Sequence, residues 1–178
     1  MDEDKFWQLV AECRQAGGTD TEVVARLLFR RLRVLDATEV AGFLRLWERA
    51  RTRLYGWPVA DAACLLLGPV EEEDLAHIQD WIISYGRAAV DRIAADPDGL
   101  VDLAADAGNA REQWFGEFTT EAYILVTGAW PPEGDPDGPD NLTGERVDLG
   151  DPAAVERRFP RLAAYRRDHP GLGVPGLH

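Results

Sequence analysis

Apolar residues recur at helical spacing along most of this chain, and the pattern is interrupted at a few glycines, prolines and aspartates. Phe6, Val10 and Cys13 line one face of a first predicted helix, which Asp2 or Asp4 can cap and Gly17-Gly18 ends. Thr19-Asp20-Thr21-Glu22 reads as a capping box, with the Glu22 carboxylate reaching back to Thr19. Val24, Leu27, Leu28 and Leu35 form the stripe of the helix that follows. Asp36 starts a third helix, with Val40, Phe43, Leu44, Trp47 and Leu54 as its buried face. Pro58 suits the first turn of a fourth. Apolar residues run around most of that helix, from Val59 to Leu67, which predicts a central position.

The acidic run Glu71-Glu72-Glu73-Asp74 opens the next helix, where negative charge opposes the helix dipole. Leu75, Ile78, Ile82, Tyr85, Ala89 and Ile93 carry helical spacing to Pro97, and a shorter helix covers Pro97 to Ala107. Tyr123 to Val126 favours strand by propensity, but no second strand is available to pair with it, so a short helix is expected. From Trp130 to Pro152 proline, glycine and aspartate dominate, and the segment reads as a surface loop or tether. Asp151-Pro152 begins a last helical segment that Pro160 should kink or split, and the tail after His169 is expected to be loose. The expected fold is all-α. It has a compact multi-helix domain of six or seven helices over residues 1–129, the loop or tether over 130–152, and the C-terminal helical segment and tail over 153–178.

A length of 178 residues suits one hydrophobic core. The net charge of −13 repels a phosphate backbone, which argues against a nucleic-acid partner and for a basic protein or a cationic small ligand. Solubility alone is the plainer account of that charge. Cys13 and Cys64 sit among apolar residues and read as buried free thiols. The acidic start MDEDKFW has no apolar signal region, and no apolar run is long enough to span a bilayer, so a soluble cytoplasmic protein is expected, with no membrane partner.

The segment Trp81 to Leu103, with Trp81, Ile82, Tyr85, Gly86 and Arg87 followed by Asp96-Pro97-Asp98-Gly99-Leu100, resembles the DUF4240 family of small bacterial domains. Phe6-Trp7 resembles the same family, as do Leu27, Leu28 and Leu32 ahead of Thr38-Glu39-Val40 and Phe43. So does Tyr55-Gly56-Trp57 ahead of Asp61-Ala62-Ala63, and the likeness covers residues 4–128. It implies an all-helical shape. It supplies no catalytic residues to transfer and no cofactor. Where members show a Gly-Gly-Cys or Gly-Gly-Ser turn, this chain has Gly68-Pro69-Val70 before its acidic run, which removes any ligand site formed by that turn.

Trp57, His77, Trp81, Tyr85 and Arg87 are the candidate ligand-binding residues. Aromatic walls with one guanidinium suit a planar or anionic ligand; the same residues also suit the core and rim of a helical bundle. His77 shares a helix side with Glu73 and Asp74, which fits either a general acid–base or a plain surface ion pair. Glu73, His77 and Asp80 lie near one helical stripe, but no second histidine precedes the C-terminal tail to complete a metal site, and none is expected. Asp135, Asp137, Asp140 and Asn141 fail the calcium-loop template because prolines intervene. The leading expectation is a non-enzymatic binding or accessory module for a protein or small ligand. The alternative is a small enzyme using a cleft around those same five residues.

Overall fold

Aspartates start four of the α-helices. Asp2, Asp20, Asp36 and Asp151 each stand extended one residue before a helix, and their carboxylates accept amide hydrogen bonds from Lys5, Val23, Glu39 and Ala153. The second cap is therefore Asp20 rather than Thr19. Glu22 does not reach back but accepts from Arg26 Nε at 2.9 Å on the next turn. These contacts belong to a computed structural model that describes residues 1–132, 134–135, 137–173 and 175–176. Residues 133 and 136 of the expected arm and 174, 177 and 178 of the expected tail lie outside the described residues.

The helices are α1 (Glu3–Gly17), α2 (Thr21–Leu32), α3 (Ala37–Leu54), α4 (Trp57–Leu67), α5 (Asp74–Ser84) and α6 (Arg87–Ala95). A long 3₁₀ segment, η1 (Pro97–Asn109), precedes α7 (Trp114–Thr127), α8 (Pro152–Arg158) and α9 (Pro160–Asp168). The all-α class holds, and no strand forms among the described residues. The expected count of six or seven helices over residues 1–129 is too low, since seven α-helices and η1 form there. Gly86 takes φ +89, a left-handed conformation that interrupts the apolar run from Leu75 to Pro97 and divides α5 from α6. Phe159 leaves the helical conformation, at φ −133 and ψ 61, ahead of Pro160, and the C-terminal segment is split there as expected. Tyr123 to Val126 belongs to a full helix, α7, and not to a short one.

Helix α4 is central as its pattern predicts, with Val59 to Leu66 buried without a break. Helix α5 is buried almost as completely, from Ile78 to Ser84, including the polar residues Gln79, Asp80 and Ser84. Phe6, Phe43, Trp47 and Phe115 form an aromatic cluster that joins α1, α3 and α7. Ring centroids in that cluster lie 5.0 to 6.2 Å apart, within the range of favourable edge and offset contacts. Helix α7 packs mainly on α2, and also on α3 and α5.

The C-terminal helices close the opposite side. Helix α9 packs on α4 and η1, and Phe159 and Leu162 are fully buried. The buried Asp98 carboxylate accepts from the Leu162 and Arg161 amides, each at 2.9 Å, and so satisfies the free donors at the start of α9 from a distant part of the chain. The loop before α8 is tied to α4 at two points. Trp57 N donates to the Thr143 carbonyl at 2.8 Å, and Val147 N donates to Asp61 Oδ2 at 2.7 Å. Past His169 the described chain returns to Val70, whose amide donates to the Gly176 carbonyl at 3.0 Å. No helix among the described residues is long and apolar enough to cross a membrane.

Candidate functional site

Buried charge concentrates where α3 meets α5. Asp80 is completely buried, and among the described residues every donor that reaches it comes from α3. Trp47 Nε1 and Arg51 Nε each donate to Oδ1 at 2.6 Å, and Arg51 Nη2 donates to Oδ2 at 2.6 Å. Arg51 Nη1 donates to Glu48 Oε1 at 2.9 Å on the same helix. One guanidinium thus lies between two carboxylates, in the planar fork geometry that only arginine offers. Burial alone would weaken the Arg51 cation, but Asp80 and Glu48 more than offset this and hold its pKa above the ordinary range. Burial pushes the Glu48 carboxyl up, Arg51 opposes that, and the charges of Asp80 and Asp135 add to it.

This group borders a cavity of about 540 Å³ between α3, α7 and the chain after α7. Leu44, Glu48 and Arg51 form one wall, Thr120 and Tyr123 another, and Trp130 and Pro131 the third. Gly116 brings α7 over the ion pair; a Cβ there would lie 3.8 Å from Asp80 Oδ2. Trp130 is 78% exposed, so its indole is an outer wall and not part of the core. A second cavity of about 560 Å³ lies across α7, beside His77, Glu117, Glu121 and Ile124. Gly116, Thr120 and Trp130 line both.

The residues singled out from the sequence are dispersed. Trp81 and Tyr85 come together, with ring centroids 5.9 Å apart, and both donate to Asp106, the indole at 3.1 Å. Asp106 also accepts from Arg14 at 3.0 Å and Asn109 at 2.5 Å, and the Arg14 guanidinium lies 3.7 Å from the Tyr85 ring centroid. Burial would raise the Asp106 carboxyl, but donors from Tyr85, Trp81, Asn109 and Arg14 more than offset that and hold it below the usual range. Burial and the Asp106 partner push the Tyr85 phenol well above its ordinary value. This is a polar cluster between helices, with Trp81 only 1% exposed and Arg14 Nη1 buried without a partner among the described residues.

Trp57 lies elsewhere, under the Arg146 guanidinium at 4.5 Å. Arg87 is on the surface and faces Glu3 at 3.4 Å and Asp4 at 3.5 Å. His77 is half-buried and lines the second cavity with none of the other four, and its Nδ1 is buried with no hydrogen-bond partner among the described residues. The expected surface pair of His77 with Asp74 does not form; Asp74 faces Arg111 at 3.4 Å. Asp80, which shares a helical stripe with His77, is taken up by Trp47 and Arg51. Cys13 and Cys64 are buried free thiols, which burial pushes up to about 11.

Glu48, Arg51, Tyr123 and Trp130 did not stand out in the sequence. A faint signal exists in Trp47-Glu48 followed by Arg51, which places an i,i+3 ion pair next to a core tryptophan. Nothing local links those residues to Asp80 or to Trp130. No curated protein and no solved structure matches the chain. The model of DUF4240, a family described as proteins of unknown function, matches residues 1–126, and the chain belongs to that family.

Proposed function

We propose that this protein is a cytoplasmic, non-catalytic binding module that receives a small organic cation in the cavity between α3 and α7. The observation that carries the reading is the charge balance at the cavity wall. Two carboxylates, Asp80 and Glu48, share one guanidinium, that of Arg51, and Glu48 sits on the cavity with a raised pKa. An ammonium or guanidinium group placed beside Glu48 restores neutrality in a partly desolvated site. Tyr123 and Trp130 supply aromatic faces, which attract a cation most strongly when water is excluded. Arg45 lines the same cavity, but it is exposed and its charge is screened by solvent. The overall charge of −13 attracts cations to the surface and speeds their encounter.

The test is a thermal-shift and calorimetric titration of the full chain with tetramethylammonium, n-butylamine and L-arginine, with acetate as the anionic control. Saturable binding of at least one cation is expected, weakened about tenfold or more in Glu48→Gln and in Trp130→Ala, which corresponds to the loss of one charge-assisted or cation–π contact. Failure of every cation to bind at millimolar concentration, or binding indifferent to both substitutions, overturns the reading.

A further inference from the structure

We infer that the ligand is a linear aliphatic polyamine that crosses α7 and occupies both cavities. This rests on the cation-binding reading above and extends it to a second contact region. The two cavities are not independent hollows. Gly116 and Thr120 form a low ridge between them, with no side chain larger than threonine, and Trp130 stands against both sides. Tyr123 faces the first cavity, whereas Glu117, Glu121 and Ile124 face the second. On an α-helix these two sets form adjacent stripes, offset by one residue. On a cylinder with the diameter of a helix and its side chains, that offset corresponds to a path of roughly 10 Å.

The chemistry along that path alternates. Glu48, on α3 across the first cavity, provides negative charge beyond one end, and Glu117 and Glu121, one helical turn apart on α7, provide it at the other. Between them lie the small ridge and the exposed Trp130 indole, which suit methylene groups. His77 also lines the second cavity, and its buried Nδ1 has no hydrogen-bond partner among the described residues. A linear triamine with three- and four-carbon spacers is long enough to cross the ridge and place an ammonium in each cavity. A single ammonium engages only one end, and a rigid planar cation cannot bend across the ridge.

The experiment is calorimetric titration of the full chain with spermidine, putrescine and n-butylamine, using three proteins besides the natural one. These are Glu48→Gln, the double variant E117Q/E121Q, and a surface control, E71Q/E72Q/E73Q. The expected order of affinity is spermidine, then putrescine, then n-butylamine, with spermidine at least tenfold tighter than n-butylamine because the second ammonium binds intramolecularly. Glu48→Gln weakens all three ligands. E117Q/E121Q weakens spermidine by about fivefold or more and leaves n-butylamine unchanged, as expected for loss of exposed charge contacts at one end. The surface control binds like the natural protein.

Equal affinity for spermidine and n-butylamine, with dependence on Glu48 retained, would sink the two-cavity inference and leave the single-cavity reading standing. No binding by any amine would remove both. Spermidine binding that falls as much in the surface control as in E117Q/E121Q would mark diffuse attraction to an acidic surface and overturn the inference.

Discussion

The guanidinium of Arg51 meets the carboxylate of Asp80 edge to edge, with Nε and Nη2 each 2.6 Å from a different oxygen, and the carboxylate has no contact with solvent. The pair links α3 to α5 and lies under the floor of the candidate cavity, so its loss should be felt in both stability and binding. Arg51→Met leaves Asp80 buried without its countercharge. The expected cost is about 3–5 kcal/mol, the range found when one partner of a buried pair is removed. Arg51→Lys should cost less, but should not restore the natural stability, because a point charge cannot make both contacts. Urea unfolding of the two variants checks this, and a loss below about 1 kcal/mol for Arg51→Met would refute the buried-pair assignment.

Glu48 should act against stability and for binding. Its folded pKa is raised, so whatever stability it contributes is fully present below its unfolded pKa of about 4.3 and is lost as pH rises through the folded value. Glu48→Gln should therefore be more stable than the natural protein at neutral pH, with the gap closing as pH falls. Cation binding should weaken over the same fall in pH, because protonation removes the charge that receives the ligand. Melting curves and titrations across the acidic range test both halves; a neutral-pH destabilisation by Glu48→Gln would contradict the first.

Asp106 should behave in the opposite sense. Its folded pKa is depressed, so its contribution is present above the unfolded value of about 3.9 and is lost as pH falls through the folded value. Asp106→Asn keeps the shape but removes the charge that receives Arg14, Trp81 and Tyr85. It should cost about 2–4 kcal/mol at neutral pH, and less in acid where the natural carboxylate is also protonated. Unfolding at neutral pH and near pH 3 provides the comparison, and a gap that widens in acid would count against this account.

Ile82 is fully buried in α5, next to the equally buried Ile83 and Trp81. Ile82→Ala should cost about 2–5 kcal/mol, as truncations in a packed core do. Chemical denaturation measures it, and a cost under about half a kcal/mol would mean that the surrounding side chains collapse into the space.

Much of the fold is legible because the relevant interactions are local. A capping aspartate touches an amide two or three residues away, and Pro58 and Pro160 act on their own backbone, so Asp36, Asp151, α4 and the division of the last segment can be read from a few adjacent letters. The break at Gly86 is less legible, since the apolar spacing continues across it and only the backbone conformation reveals the turn. The candidate site is hardest to read. On its own helix Asp80 looks like a neighbour of His77, because helical spacing reports what shares a stripe. Its actual partners, Trp47 and Arg51, are 33 and 29 positions away on α3. Trp130 opens a segment whose composition reads as loop, and its use as a wall depends on the chain turning back over α7.

Asp98 places its carboxylate on the first amides of α9, and α9 in turn buries Phe159 and Leu162 against the rest of the molecule. The family match ends at residue 126, yet the donors that satisfy Asp98 and the side chains that shield α4 lie beyond it. The part of the chain that is recognisable by kinship is therefore smaller than the part that must fold together. A protein cut at the edge of the likeness would leave Asp98 without the amides it receives and a greasy face open to water.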